Sequence, residues 1–362
     1  MDVLLKSRER REQLQQWLAK HGAVVARLKT HGPWDNMKWA TLQLPVQQLT
    51  QLRSLELSGW LKFQLPAGVS TRSSSSSKKA RSSRLTALSS SHASGSAAAA
   101  VAVLPQLQQL KLWACQLTVP LLSQLLSATA LTKLHWEHPR LCGSGSRTGI
   151  LTQEQLYATL WPHLQLLPQL SDLTMHVDSV TAETIAPLSN LGHLQRFSWC
   201  LRGAWPADDA FDDSGPRALL AALQHLTQLQ HLQLEAAALY RVNTLGDGLQ
   251  CFSTLTASTQ LTALVLVEWA GMPVRQAAFD HIFAPGHVLP HLKVLRLNGS
   301  GDPETHIGCV GAAQIGRIAA SCPALQQLEL ASVTAIGFDC SCLSQLPSGV
   351  TTVRGLHWSR RG

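Results

Sequence analysis

The sequence contains little charge and few aromatic residues. Asp, Glu, Lys and Arg make up 14% of its 362 residues, and the aromatic share is 6%, with 11 Trp but only 2 Tyr. Leu is the main member of a hydrophobic fraction of 45%, which argues against a sheet protein rich in β-branched residues. A chain of this length exceeds an ordinary globular core, whereas an array of repeats reaches it without dividing into domains.

Long hydrophobic runs are also missing. No stretch of eighteen apolar residues occurs, so we predict no transmembrane helix and no contact with a membrane. The basic residues Lys6, Arg8, Arg10 and Arg11 near the start are not followed by the uninterrupted apolar stretch of a secretory signal. We therefore expect a cytoplasmic protein with free thiols, and the nucleus and the cytoskeleton or cilium axoneme are the alternative locations.

The net charge of +8 comes from two segments. Residues 1–30 carry a charge of +4 and residues 66–100 carry +5, so the rest of the chain sums to −1. A protein that binds nucleic acid needs its positive charge on a folded face. We therefore expect no nucleic-acid partner.

One phrase recurs along the chain: three apolar residues separated by two spacers each, then a fourth after one spacer. In the segment LPQLQQLKL these are Leu104, Leu107, Leu110 and Leu112. Ten copies of the phrase end at Leu57, Leu112, Trp136, Met175, Trp199, Leu234, Leu266, Leu297, Leu330 and Trp358. The closing apolar pair alternates as a short strand must when one side faces a core. Because one unit cannot bury its apolar side alone, we expect neighbouring units to stack into a parallel sheet.

The segments between the copies are predicted to cross to the opposite face as helices. The predicted helices include residues 120–126, 152–164, 216–226 and 273–283. Thr152 and Gln155 have the spacing of a capping box, in which the two side chains satisfy each other's backbone N–H groups at a helix start.

The repeated phrase resembles that of leucine-rich-repeat proteins, in particular the ribonuclease-inhibitor-like or cysteine-containing, F-box-associated class. The resemblance covers roughly residues 40–360. It implies an α/β solenoid, a horseshoe of about ten irregular repeats with a concave parallel sheet and a helical convex side. The family's phrase continues to Asn or Cys three residues past the last Leu, and only Cys115 fits that position well. Because Asp178, Ser300 and Val333 stand there in other copies, we expect the horseshoe to be irregular.

The sequence divides into two predicted regions. Residues 1–39 are predicted to form an N-terminal helical cap, and residues 40–362 the leucine-rich-repeat domain. Leu14, Trp17 and Leu18 lie on one face of the cap helix, which we expect to cover the first repeat, with partner binding as the alternative. A segment rich in Ser and Ala, residues 67–100, interrupts the repeat domain and is predicted to be disordered.

Few residues carry recognisable chemistry. His135, His138 and Cys142 form an H-x2-H-x3-C pattern, and Cys340 and Cys342 form C-x-C, but neither has the second ligand pair of a structural zinc site. No G-x-S-x-G or H-E-x-x-H motif is present. We therefore expect no catalytic residue, no metal, no cofactor and no small-molecule substrate.

The residues that flank the closing apolar pair are predicted to project from the concave sheet, where a protein partner of unknown identity would bind. They carry about as many acids as bases, which is typical of a protein-binding surface rather than a phosphate-binding one. An apolar cluster around Val265 and Val267 is the proposed centre; alternatively a loop folds back over it. The predicted partner-binding residues are Trp113, Arg196, His231, Glu235, Val265, Val267, Trp269, Val294 and Arg296.

The sequence favours a non-catalytic protein–protein recognition module, a scaffold that binds its partner on the concave face. One alternative is the substrate-recognition subunit of an SCF-type ubiquitin ligase, although no F-box is visible in the first thirty residues. A second alternative is a structural component of a cytoskeletal or axonemal assembly.

Overall fold

The computed structural model of the chain describes residues 1–5, 7–32, 40–59, 61–65, 104–142, 151–177, 181–201, 214–235, 246–267, 276–297, 312–335 and 340–358. The Ser- and Ala-rich insertion predicted at 67–100 lies outside these residues, as does Trp269. No helix in the described ranges combines the length and the hydrophobicity needed to cross a membrane.

The described strands are numbered in chain order. They are β1 Asp2–Leu4, β2 Arg27–His31, β3 Ala40–Gln43, β4 Ser54–Ser58, β5 Leu61–Gln64, β6 Gln109–Trp113, β7 Gln116–Thr118, β8 Lys133–Glu137, β9 Arg140–Cys142, β10 Asp172–Val177, β11 Arg196–Leu201, β12 His231–Glu235, β13 Ala263–Val267, β14 Val294–Leu297, β15 Gln327–Ala335 and β16 Thr352–Trp358. Twelve of them form one sheet, in the order β1-β2-β4-β6-β8-β10-β11-β12-β13-β14-β15-β16. Every neighbouring pair is parallel, and each of the ten copies contributes one strand.

The leucine phrase builds this sheet in register. Leu110 pairs with Leu55 on one side and Leu134 on the other, and all three side chains are buried. The backbone repeats one hydrogen-bond arrangement from β2 to β16, in which the carbonyl just before one strand accepts from two consecutive N–H groups at the start of the next. For example, the carbonyl of Gln108 accepts hydrogen bonds from the N–H groups of Thr132 and Lys133. The chain is therefore an α/β leucine-rich-repeat solenoid whose repeats stack on their immediate neighbours.

Helices cross over on the convex side. They are α1 Arg8–His21, α2 Val119–Leu126, α3 Gln153–Gln165, α4 Ala182–Ile185, α5 Ser214–Leu223, α6 Gln276–Ile282 and α7 Ala312–Ser321, with shorter 3₁₀ turns between some of them. The capping box predicted for α3 is confirmed, because the N–H of Gln155 donates to the Thr152 hydroxyl (3.3 Å) and the N–H of Thr152 donates to Gln155 Oε1 (3.1 Å).

The first residues join the sheet. Strands β1 and β2, which the sequence analysis did not predict, extend the large sheet by two strands, and α1 connects them. Leu14 and Leu18 of α1 are buried, whereas Trp17 is 41% exposed. The helix starts at Ser7, whose hydroxyl accepts a hydrogen bond from the N–H of Arg10 at 3.2 Å. The N-terminal segment is therefore a strand–helix–strand unit.

A second parallel sheet, also not predicted, flanks the first repeats. Its strand order is β3-β5-β7-β9, and β5, β7 and β9 each begin three residues after a strand of the large sheet ends. Phe63 pairs with Leu42 on one side and Leu117 on the other, and all three side chains are buried. This column adds apolar burial that the leucine phrase alone does not provide.

Candidate functional site

The concave face of the large sheet carries three rows of side chains, one residue from each strand per row. In β12, Leu232 and Leu234 are buried, whereas the alternating His231, Gln233 and Glu235 are only partly buried. The first row includes Gln109, Lys133, Asp172, Arg196 and His231; the middle row includes Glu56, Lys111, His135, Thr174, Ser198 and Gln233; the last row includes Ser58, Trp113, Glu137, His176, Cys200 and Glu235.

A shallow depression follows these rows across the middle of the sheet. Its first part has a volume of about 230 Å³ and is lined by residues of β4, β6, β8 and β10. Its second part, of about 310 Å³, is lined by residues of β8, β10, β11 and β12. His135, Asp172 and Thr174 line both parts, so the two form one continuous surface that we call the concave depression.

Charges in the N-terminal part of this surface are paired across neighbouring strands. Glu56 Oε1 lies 3.6 Å from Lys29 Nζ and 3.5 Å from Lys111 Nζ. The ammonium group of Lys111 also lies 5.9 Å from the centre of the Trp113 ring, within the range of a cation–π contact. Trp113 is therefore a half-buried aromatic side chain with a charged neighbour.

Two imidazoles that line the depression meet one carboxylate, that of Glu137 in the last row. His135 Nε2 lies 3.0 Å from Glu137 Oε2, and His176 Nδ1 lies 3.9 Å from Glu137 Oε1. Sequence reasoning had instead grouped His135 with His138 and Cys142. The strand register brings His176 beside Glu137, although 39 residues separate them in the chain.

His231 lies at the other end of the depression, beside Arg196 in the first row. Burial lowers the pKa of His231 from its usual value of 6.5, and the charges of Arg196 and Arg296 lower it further, against an opposite effect of Asp172. The neutral imidazole is thus favoured here.

The predicted apolar cluster is less accessible than the sequence suggested. Val265 is 7% exposed, so the expectation that it projects freely from the sheet is wrong. The register places its short side chain between the longer Gln233 and Arg296 on the neighbouring strands. Val267 and Val294 are partly buried, and the guanidinium group of Arg296 lies 3.2 Å from the Glu329 carboxylate.

A larger cleft, of about 620 Å³, lies among the convex helices between α3, α4 and α5. Trp161 lines it and is 3% exposed, and its indole N–H has no hydrogen-bond acceptor among the described residues. The described residues among the predicted partner contacts are on the other side of the molecule, on the concave sheet, and Trp269 lies outside the described ranges.

No protein-family model matches this sequence, and no curated protein sequence matches it significantly. Among solved structures, the internalin inlF of Listeria monocytogenes is 13% identical over 96% of this chain and 88% of its own, with a TM-score of 0.42. The leucine-rich-repeat ectodomain of GASSHO1/SCHENGEN3 from Arabidopsis thaliana, in complex with CASPARIAN STRIP INTEGRITY FACTOR 2, is 14% identical over 91% of this chain and 33% of its own (TM-score 0.38).

A third similar structure is TLR13 in complex with ssRNA13, which is 14% identical over 96% of this chain and 48% of its own, with a TM-score of 0.36. The chain thus spans most of the internalin but only 33% of the plant ectodomain and 48% of TLR13. Its own repeated phrase, and the parallel ladder that the phrase builds, give this chain the fold of the leucine-rich-repeat proteins.

Proposed function

We propose that this chain is a non-catalytic recognition module that binds a segment of another protein along the concave face. The observation that carries the proposal is the concave depression, a continuous surface of partly buried polar side chains from β4 to β12. Such a surface offers hydrogen bonds and ion pairs at fixed spacing, because each strand repeats the position of the one before it.

The charge pattern supports a protein partner over a nucleic acid. Glu56 lies between Lys29 and Lys111, and Arg296 pairs with Glu329, so positive and negative groups alternate at both ends of the middle row. A nucleic-acid backbone requires a row of positive charge and releases counterions as it binds. We expect partner binding to this face to depend only weakly on salt.

The proposed contacts are those that flank the depression on both sides. Trp113 stands at one end as an aromatic anchor, a residue type that often dominates binding energy. Arg196, His231 and Glu235 continue the surface, and Val267, Val294 and Arg296 extend it over β13 and β14. Val265 and Trp269 complete the proposed set; because Val265 is buried, its replacement should lower stability as well as affinity.

The test begins with proximity labelling or a pull-down from the native cell, followed by affinity measurements with the purified partner. Trp113→Ala should weaken binding by about 1–3 kcal/mol, the usual loss for an aromatic anchor. Trp17→Ala is the matched control, since Trp17 is a partly exposed tryptophan on α1. Loss of binding in the Trp17 variant alone would instead assign recognition to the N-terminal helix.

The same experiment discriminates the other hypotheses. Recovery of a Skp-type adaptor would indicate the substrate-recognition subunit of a ubiquitin ligase, and recovery of axonemal or other cytoskeletal proteins would indicate a structural component. Tight, salt-sensitive binding of RNA or DNA by a chain lacking residues 1–30 and 67–100 would contradict the proposal of a protein partner.

A further inference from the structure

Three metal-ligating side chains lie together on two neighbouring strands, and two of them, His135 and His176, line the concave depression. His135 and Glu137 are two residues apart on β8, so both project from the same face. His176 on β10 pairs in register with Glu137, whereas the small Thr174 pairs with His135. The register therefore leaves space between the two imidazole rings, whose centres are 5.7 Å apart.

The distances between the donor atoms are close to those of a metal site. One atom from each of the three side chains can be chosen such that all lie within 4.8 Å of one another. Zinc binds imidazole nitrogen and carboxylate oxygen at about 2.0–2.2 Å in tetrahedral geometry, which places donor atoms about 3.4 Å apart. Each donor atom would need to move by about 1 Å to surround one ion. Rotation of the side chains can supply this movement without a change in the backbone.

The ring of His176 is held from a second side. His138, the residue after β8, has a left-handed backbone with φ of 47°, and its ring centre lies 6.0 Å from that of His176 at an angle of 70°. This edge contact restricts the rotation of the His176 ring. The side chains of His135, Glu137 and His176 are 30%, 14% and 16% exposed, and the Nδ1 atom of His176 is itself buried, so an ion at this site would be partly shielded from solvent.

The positive charge nearest to His135 in the middle row, that of Lys111, is paired with a carboxylate and so opposes metal binding less. Lys111 pairs in register with His135, but its ammonium group lies 3.5 Å from the Glu56 carboxylate. Two imidazole nitrogens and one carboxylate oxygen suit borderline divalent metals such as zinc, whereas magnesium and calcium prefer oxygen ligands.

We propose that His135, Glu137 and His176 form a binding site for one Zn²⁺ ion on the concave face. Three protein ligands leave a fourth coordination position open toward solvent, as in zinc sites that bind an exogenous ligand. Zinc binding requires only this chain. A partner protein could supply the fourth ligand only if the proposed recognition function is correct.

The test uses the purified full chain and Co²⁺ as a spectroscopic probe for the zinc site. Wild type should bind one equivalent of Co²⁺ with the visible absorption of a tetrahedral ion, and one equivalent of Zn²⁺ should displace it. His176→Gln and Glu137→Gln should each raise the Kd for Zn²⁺ by at least about tenfold, since even outer-shell changes cost 10–100-fold. His225→Gln, a matched change of an exposed histidine after α5, should bind as wild type does.

The melting temperature is a second measurement that distinguishes loss of zinc binding from loss of folding in the variants. Zn²⁺ should raise the melting temperature of wild type and of His225→Gln, because an ion that binds only the folded state stabilises it, and this rise should be absent from His176→Gln. Equal zinc affinity in wild type and His176→Gln would overturn the proposal, as would equal binding of Mg²⁺. An absorption band from thiolate-to-cobalt charge transfer would also overturn this ligand set, because none of its three residues is a cysteine.

Discussion

Ala114 and His138 occupy the same position in two successive repeats, directly after β6 and β8, and both have left-handed backbones, with φ of 45° and 47°. The equivalent residue one repeat earlier is Gly59, with φ of 85°. The N–H of Gly59 donates to the carbonyl of Trp113, and the N–H of Ala114 donates to the carbonyl of Glu137. At this turn the chain leaves the large sheet for the flanking one.

Ala114→Gly should therefore stabilise the protein. A non-glycine residue in the left-handed region destabilises the folded state by roughly 1–2 kcal/mol. Glycine removes this strain, but its greater freedom in the unfolded chain offsets part of the gain. We therefore expect the free energy of unfolding to rise by about 0.5–1 kcal/mol. Urea unfolding followed by circular dichroism measures the change. A lower midpoint for Ala114→Gly would show that the turn is not strained.

The reverse change at the first of these turns should destabilise the fold. A Cβ at Gly59 would lie 2.7 Å from the backbone nitrogen of Gly32, which is too close for atoms that cannot move aside. We expect Gly59→Ala to lose about 1–3 kcal/mol, as is usual for strain at a special backbone conformation. Gly286→Ala is the control, since its φ is also positive, 80°, but a Cβ there meets no atom within 4 Å.

Two buried thiols should resist modification in the folded protein. Burial raises the pKa of both Cys115 and Cys322 to about 12, so almost no reactive thiolate forms at neutral pH. Alkylation with iodoacetamide at neutral pH, followed by mass spectrometry, should label these two residues only after denaturant is added. Labelling of Cys115 in the native protein at the rate of an unfolded control would contradict its burial.

The large sheet was predictable because equivalent positions of successive copies pair with each other. Leu110 and Leu112 of one copy correspond to Leu134 and Trp136 of the next, and the structure pairs them in that order. The flanking sheet was not, because strands as short as Gln116–Thr118 carry too few residues to show alternation. The pairing of Glu137 with His176 was available from the aligned copies. Spacing along the chain indicates only His135, His138 and Cys142, because Glu137 and His176 become neighbours only where two strands pair.

Stability should fall in mild acid partly through His231. Its pKa in the folded protein lies below the usual 6.5 because of burial and Arg196, so the folded state resists protonation. The stabilising contribution is complete above about pH 6.5 and is lost as the pH falls through the lower pKa of the folded state. The drop in melting temperature between about pH 7 and pH 5 should be smaller in His231→Gln than in wild type.

Removal of residues 68–99 should leave the fold intact. The pairing of β4 with β6 runs across this insertion, from Ser54 with Gln109 to Ser58 with Trp113, and six residues would still connect Leu65 to Leu104. Because the entropy of closing a loop grows slowly with its length, a shorter loop should be neutral or mildly stabilising. A clear fall in the melting temperature of the deleted chain would show that the insertion packs against the repeats.

The flanking sheet gives the two arms of the solenoid different mechanical properties. Between β3 and β9 the repeats are joined by backbone hydrogen bonds on two separate faces, and both sheets advance by about 4.8 Å per repeat. Over β10 to β16 the described residues join through one sheet, and side-chain contacts between helices or turns link the opposite side. The N-terminal arm should therefore resist bending about two axes, whereas the other arm should bend more easily, because a single sheet connects its described repeats.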